Sequence, residues 1–384
     1  MRDLSEYRVL IVDDVKANID ALVKVLQGEY KLSVALSGEA AIKAVDKSQP
    51  DLIMLDVMMP GIDGFEVCRL LREKPAFREI PVMFLTGLQD VENKARGFEV
   101  GGNDYLTKPF EALEVRARVK AHLTAKAYTD AVKEKMASEM RIAREIQMGI
   151  LPTDIAGAVH GTELEVAARL DPAREVGGDL YVVLRNGERV VVAVGDVSGK
   201  GVPAALFMAV TTTLVRTIGR LIDRPEVILQ HVNDELAGQN PHGMFVTIAC
   251  AVLDPKRGKL SYASAGHPSP VLIRAGEPPS YPFPSTGMMA GLYPGVEITG
   301  IDAEFHPGDA LLFYSDGVTE AFDAAGAAFG EPRLLEVSGA APASVGELVA
   351  EVFKAVTAFA GECPQSDDLT LLAVGWPVGG AARP

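Results

Sequence analysis

Seven aspartates and one lysine, in two groups, are the residues of this sequence best placed to do chemistry: Asp13, Asp14 and Asp56 with Lys108, then Asp179, Asp196, Asp316 and Asp367. Each aspartate falls just after or beside a short run of aliphatic and β-branched residues, the pattern of strands that carry functional groups to a sheet edge. Carboxylates gathered there repel one another unless a hard divalent cation or an ammonium group offsets their charge. Such cations also neutralise the charge of phosphoryl transfer and phosphate-ester hydrolysis. The sequence therefore implies two phosphate-handling sites in one polypeptide.

The elements that must position these groups set the organisation. A chain of 384 residues exceeds what one hydrophobic core ordinarily serves, so two domains and a connector are expected: residues 1–123, a helical linker 124–151, and residues 152–384. A hydrophobic content of 48% supports globular domains. The net charge of -15, with no segment of clustered Lys and Arg, argues against a nucleic-acid partner and against a DNA-reading output domain. Cys68, Cys250 and Cys363 have no metal-ligand spacing and cannot all pair with one another, which fits a reducing compartment. The segment Met1 to Tyr7 is polar, and no stretch approaches the roughly 20 apolar residues of a membrane span, so a cytoplasmic protein with no membrane association is expected.

From Tyr7 to about Leu123, short apolar runs alternate with amphipathic stretches. Strands are predicted at 7–12, 32–36, 51–55, 81–85 and 104–107, with helices over 15–26 and beginning near Gly38, Gly64, Asp90 and Glu111. Five βα units predict an α/β doubly wound parallel sheet, in which Asp13, Asp14, Asp56, Thr86 and Lys108 all follow the last apolar residue of a strand. They should share one crevice. That arrangement is a Mg2+ site with a spare carboxylate nucleophile: Asp56 can attack a phosphoryl group while the metal and Lys108 take up oxygen charge, and Thr86 can hydrogen-bond the product. The plainer alternative has Asp13, Asp14 and Asp56 capping helix N-termini.

The segments Val-Asp-Asp (12–14), Asp-Val-Met-Met-Pro-Gly-Ile-Asp-Gly (56–64) and Thr-Lys-Pro-Phe (107–110) resemble a response-regulator receiver domain over roughly the first third of the chain. The resemblance implies Asp56 as phosphoacceptor, charged by a histidine kinase, and Mg2+ held by Asp13, Asp14 and the Met58 carbonyl. It also implies Lys108 as phosphate and metal partner, Thr86 and Tyr105 as switch residues, and a cis peptide bond before Pro109.

Between Glu111 and Leu151 there is no proline and no glycine before Gly149, a composition that favours continuous helix. Leu123, Tyr128, Val132, Met136, Met140, Ala143, Ile146 and Ile150 keep mostly three- or four-residue spacing, so a parallel helical homodimer, a coiled coil, is expected; a helix packed on its own domains is the alternative.

After Pro152 the pattern becomes Gly-rich β-structure. Strands are predicted at 164–169, 179–184, 189–197, 245–253, 259–264, 271–274, 310–314 and 370–375, and helices at 202–222, 225–239 and 345–359, an α+β antiparallel sandwich. Gly178, Gly195 and Gly317 would let the backbone approach a metal or phosphate. Four carboxylates without a His or Cys cluster point to Mg2+ or Mn2+. Two such ions, about 3.5–4 Å apart and sharing Asp179 or Asp196, would activate a bridging water for in-line attack on a phosphate ester.

The motifs Glu175-Val-Gly-Gly-Asp-Leu-Tyr181, Gly195-Asp-Val-Ser-Gly-Lys-Gly-Val-Pro-Ala-Ala-Leu206, Ala265-Gly-His-Pro268, Tyr314-Ser-Asp-Gly-Val-Thr-Glu-Ala321 and Ser366-Asp-Asp-Leu-Thr-Leu371 resemble SpoIIE-type, protein phosphatase 2C-like (PPM family) phosphatases over about half the chain. Ala143 to Pro152 is similar to the regulatory helix that leads into that domain. The resemblance implies a metal-dependent protein serine/threonine phosphatase in which Asp179 and Asp196 bridge two Mn2+ or Mg2+ ions, the Val197 carbonyl is a ligand, Asp316 and Asp367 bind one ion, and Asp368 is a neighbour. It further implies a phosphoserine or phosphothreonine protein as substrate, with a phosphorylated anti-sigma factor antagonist expected. Val182 departs from the pattern, where many relatives carry a second Asp.

Other readings compete. Gly199-Lys200-Gly201 is either a phosphate-binding loop or a flexible approach to a helix, and His267 is either catalytic or structural. A degenerate phosphatase that only sequesters its phosphoprotein partner would account for Val182. Gly177-Gly178-Asp179-Leu180 superficially resembles receiver-linked diguanylate cyclases, but those place two acidic residues after the glycines.

Overall fold

The computed structural model describes residues 3–87, 96–340 and 344–378, which form two compact units, Met1–Ser138 and Glu139–Pro384.

The first unit holds a five-stranded parallel sheet in the order β2-β1-β3-β4-β5, built from β1 (Arg8–Val12), β2 (Lys31–Ala35), β3 (Leu52–Asp56), β4 (Val82–Thr86) and β5 (Asp104–Thr107). Strands β3 and β4 are buried along their whole length because helices cover both faces of the sheet. One face packs Leu10, Ile53 and Val82 against Val67 and Leu71; the other packs Ile11, Met54 and Leu85 against Leu22, Val119 and Leu123. Helices α1 (Lys16–Leu26), α2 (Gly38–Ser48) and α3 (Gly64–Glu73) supply the crossovers. Two of them are capped from the sequence, where Ser37 Oγ accepts from Ala40 N–H and Asp63 Oδ1 from Glu66 N–H. The helix expected near Asp90 begins outside the described residues. The Lys108–Pro109 bond is cis.

Helix α4 runs from Ala112 to Ile150, without the glycine or proline that would end it earlier. Leu123 and Ala127 are buried in the first unit's core, while Tyr128, Val132, Met136 and Ile146 are exposed.

The second unit is an antiparallel sandwich. One sheet has the order β12-β10-β9-β8-β7 and the other β11-β13-β14-β6. The strands are β6 (Glu165–Asp171), β7 (Leu180–Asn186), β8 (Arg189–Val197), β9 (Val246–Asp254), β10 (Lys259–Ala265), β11 (Val271–Ile273), β12 (Ile301–Glu304), β13 (Ala310–Tyr314) and β14 (Leu369–Gly375). A common core joins Val192, Val194, Ala249 and Ala263 of one sheet to Leu311, Phe313 and Leu372 of the other. Around it lie α5 (Ile155–Val159), α6 (Val202–Gly219), α7 (Pro225–Gly238), α8 (Asp316–Thr319), α9 (Gly330–Ser338) and α10 (Val345–Ala360). The sequence pattern did not reveal β12, α5, α8 or α9, because elements this short carry too few periods of hydrophobic alternation to stand out.

The expectation that no stretch approaches a membrane span has one exception among the described residues: α6 is long and apolar enough by length and composition. It lies against β7, β8 and α7, burying Ala204, Met208 and Val215 in the sandwich.

Candidate functional site

At the C-terminal edge of the parallel sheet, oxygens of Asp13, Asp14 and Asp56 lie within 4.8 Å of one another. Asp13 and Asp56 are buried and Asp14 is exposed, so the cluster is open to water on one side. Lys108 Nζ is 2.7 Å from Asp13 Oδ2 and 2.9 Å from Asp56 Oδ2. Burial pushes the Asp56 carboxyl up and Asp13 adds to this, against the opposing pull of Lys108 and of the Met58 backbone N–H. Burial alone would lower the Lys108 ammonium, but its bonds to Asp13 and Asp56 leave it raised. Asp13 also accepts from Val15 N–H at 2.9 Å and Asn18 Nδ2 at 3.0 Å, whereas α1, with Val15 at its N-cap, has no side-chain capping bond.

Thr86 ends β4 beside this group. Its hydroxyl is buried without a hydrogen-bond partner among the described residues, and its carbonyl accepts from Lys108 N–H at 2.7 Å. Tyr105 packs edge-on against Phe98, ring centres 4.9 Å apart. Met58 has an exposed side chain and a backbone N–H that faces Asp56.

The second constellation draws on both sheets of the sandwich. Asp179 immediately precedes β7 and Asp196 lies in β8, whose register pairs Leu180 with Gly195. Asp316 opens α8 just beyond β13, and Asp367 precedes β14, whose Leu371 pairs with Tyr314. The four aspartates therefore meet at one end of the sandwich. Burial, then Asp196 and Asp368, pushes the Asp179 carboxyl well up. Burial, then Asp316 and Asp367, pushes Asp196 up to about 7, and burial, then Glu320 and Asp367, raises Asp316. Among the described residues Asp13, Asp14 and Asp56 are the group of three whose oxygens all fall within 4.8 Å, so this second set is the wider of the two.

Its neighbours define the geometry. A Cβ at Gly178 would sit 2.8 Å from the Val197 carbonyl oxygen and 3.4 Å from Asp196 Oδ1, so the Val197 carbonyl borders the same space as that carboxylate. Gly195 and Gly317 differ from the expectation: they crowd the Thr247 and Asp368 carbonyls, so their smallness serves backbone packing. Asp368 is buried and accepts from Ala173 N–H at 2.9 Å, Gly178 N–H at 2.8 Å and Asp179 N–H at 3.4 Å. It ties the Gly177-Gly178-Asp179 turn to β14.

Sequence reasoning did not single out two further residues, Thr370 and Gln147. Thr370 Oγ1 donates to Asp179 Oδ2 at 2.5 Å. Gln147, buried near the end of α4, donates from Nε2 to the Gly177 carbonyl at 2.6 Å and accepts from Gly177 N–H at 3.2 Å. The signal for Gln147 lay within the Ala143–Pro152 stretch, but a lone polar side chain in a helix names no partner. Lys200, in the Gly199-Lys200-Gly201 loop that the sequence left open, has its Nζ 2.9 Å from Asp367 Oδ2 and 2.8 Å from the Ser366 carbonyl.

Two positions that the sequence left open have clear surroundings. Val182 is fully buried in the core and pairs with Ala193. His267 is buried with Nδ1 3.0 Å from Thr247 Oγ1, and its backbone N–H donates to Ser264 Oγ; burial pushes its imidazole down to about 4. Its bonds hold a turn together, which favours the structural role.

Both donor sets are oxygen-only. Carboxylates, with the Val197 carbonyl at the second set, suit Mg2+ or Mn2+, and the upward pressure on Asp179, Asp196 and Asp316 is what an incoming divalent charge would relieve.

The family model for Stage II sporulation protein E (SpoIIE) matches residues 186–377. The chain belongs to the SpoIIE family. The response regulator receiver domain model matches residues 9–120, so a receiver precedes the SpoIIE domain. The SiaA-PP2C domain of Pseudomonas aeruginosa superposes with a TM-score of 0.57 at 22% identity, covering 65% of this chain and 99% of that one, and so shares the fold of the SpoIIE domain. In sequence, response regulator PleD of Caulobacter vibrioides is 38% identical over 192 residues, 49% of this chain and 38% of that protein. Transcriptional regulatory protein YvrH of Bacillus subtilis is 47% identical over 117 residues, 30% of this chain and 48% of that protein. The chain spans less than half the length of either curated relative.

Proposed function

We propose that this SpoIIE-family chain is a cytoplasmic two-component response regulator in which phosphorylation of Asp56 by a histidine kinase controls a metal-dependent protein serine/threonine phosphatase. The observation that carries the phosphatase reading is the convergence of Asp179, Asp196, Asp316 and Asp367 from four strand ends of two sheets, with the carboxyl groups of Asp179, Asp196 and Asp316 raised by burial and neighbouring carboxylates. Such groups suit two Mn2+ or Mg2+ ions, with Asp179 and Asp196 bridging, the Val197 carbonyl as a further ligand, and Asp316 with Asp367 on one ion. Bound there, the ions would supply a water of lowered pKa and charge compensation for in-line attack on a phosphate ester. Thr370 orients the Asp179 carboxylate, and Asp368 fixes the turn that carries it. Hydrolysis forms one P–O bond to water oxygen, breaks the ester P–O bond, and delivers a proton to the departing serine or threonine oxygen.

In the receiver, Asp13 and Asp14 with the Met58 carbonyl would hold Mg2+, and Asp56 would take the phosphoryl group with Lys108 beside it. The Thr86 hydroxyl, without a partner among the described residues, suits an incoming phosphoryl oxygen, with Tyr105 following the switch. Residues 1–123 form the receiver on this reading, 124–151 the linker and 152–384 the phosphatase. The exposed Tyr128, Val132 and Met136 support a coiled-coil homodimer through the linker. A phosphorylated anti-sigma factor antagonist is the substrate we favour.

The decisive experiment is Mn2+-dependent phosphate release from a phosphoserine protein, with and without beryllofluoride. Turnover that Asp196→Ala removes, and a beryllofluoride response that Asp56→Ala removes, support the reading. Tight phosphoprotein binding with no turnover would instead favour the sequestering regulator.

A further inference from the structure

We infer that Lys200 is the substrate-phosphate-binding cation of the SpoIIE domain, parked on Asp367 until divalent ions claim that carboxylate. This rests on the reading of Asp179, Asp196, Asp316 and Asp367 as the phosphatase centre. Five aspartates, counting Asp368, crowd this end of the sandwich, and Lys200 is the cation that touches one of them among the described residues. A phosphorylated side chain brings further negative charge into the same space. Metal ions offset part of it, yet the outer phosphate oxygens need donors that the carboxylates cannot provide.

Lys200 is placed to do this. Its ammonium lies 2.9 Å from Asp367 Oδ2 and also lowers the proton affinity of Asp316, so its charge reaches two of the proposed ligands. Neither contact locks it: both Lys200 and Asp367 are about two-fifths exposed, 43% and 41%, a setting in which ion pairs are weak. Gly199 and Gly201 flank it with φ of +87° and +75°, so the loop is shaped by glycines and the side chain can swing without disturbing α6. The same lysine lines a surface cavity of about 720 Å³ with Val202, Leu206, Phe207 and Met244, so it stands between the aspartates and solvent-accessible space. A divalent ion taking the Asp367 lone pairs would repel the ammonium as well as replace it. The freed lysine then faces the position where the phosphate must sit.

The experiment uses the full chain and three readouts. Calorimetric titration with Mn2+, without substrate, follows the exchange at Asp367. Titration of the Mg2+-loaded protein with inorganic phosphate follows the binding role, and hydrolysis of p-nitrophenyl phosphate separates KM from kcat. Lys200→Met is expected to bind Mn2+ at least as tightly as wild type, to bind inorganic phosphate about ten-fold more weakly, the worth of one charge-assisted hydrogen bond, and to raise KM more than it lowers kcat. Lys200→Arg should recover most of the phosphate affinity. Unchanged phosphate binding in Lys200→Met overturns the inference, as does a matching loss of Mn2+ affinity, which would make Lys200 a support of the metal site. Absence of turnover in wild type would sink the phosphatase reading alone, since the phosphate titration still reads Lys200.

Discussion

Gly177→Ala tests the construction of the second site at its tightest point. A Cβ there would lie 1.9 Å from Asp368 Oδ2 and 2.6 Å from its Cγ, far inside van der Waals contact. Asp368 has nowhere to retreat, because its oxygens hold Ala173 N–H at 2.9 Å and Gly178 N–H at 2.8 Å in a buried setting. Relieving the clash breaks at least these two bonds, and hydrogen bonds to a charged group contribute about 1.5–3 kcal/mol each, so a loss of about 3–6 kcal/mol is expected. The Gln147 amide, which brackets Gly177, would lose its alignment in the same movement. The chain has a single tryptophan, Trp376, in the second unit, so its fluorescence follows unfolding of that unit alone in a denaturant titration. Gly187→Ala is the control: it bears the strain of a positive φ (+63°) but has nothing within 4 Å of its Cβ, and should cost only about 1 kcal/mol. A Gly177→Ala midpoint shift no larger than that of the control would refute the claim that Asp368 is an immovable strut.

Three further outcomes follow from other parts of the molecule. Burial holds the His267 imidazole neutral down to about pH 4, whereas in the unfolded chain it protonates near pH 6.5; the unfolded state therefore binds more protons between these values, and stability is full above about pH 6.5 and falls as pH drops towards 4, by about 3 kcal/mol in all. Trp376 denaturation curves of wild type and His267→Gln across that window should converge as pH falls, and parallel curves would disprove it. Thr86→Ala removes a buried hydroxyl that has no partner among the described residues, so the unphosphorylated receiver should keep its stability within about 1 kcal/mol by thermal melting, while stabilisation by beryllofluoride with Mg2+ shrinks. Gly149 lies near the end of α4, and a methyl group added to its Cα would meet nothing within 4 Å, so Gly149→Ala should stabilise the helix by about 0.5–1 kcal/mol, read by the same fluorescence melt; destabilisation would show that the helix end needs the glycine.

Much of this was legible in the sequence, and unevenly so. The bounds 189–197 and 310–314 were read to the residue because Val-rich β8 and Leu-rich β13 are long or sharply flanked apolar runs with turn residues on either side. Aspartates at strand ends announced themselves, since a carboxylate next to a buried run must have an offsetting partner. What failed to show was every contact made by a residue with an ordinary alternative role: Thr370 reads as a strand threonine, Gln147 as a helix glutamine, Lys200 as a loop lysine.

By itself the sequence determined the parallel and the antiparallel half, most of their strands, and which carboxylates stand at the strand ends, because hydrophobic periodicity and local charge are properties of neighbouring residues along the chain. The tertiary structure decided who holds whom. It brought Asp368 to the Gly177 turn across nearly two hundred residues, set Lys200 on Asp367, and turned two of the three noted glycines into packing sites. The first two join elements of different sheets and the glycine contacts join neighbouring segments of one sheet; all are fixed by how the whole core closes, which no local pattern encodes.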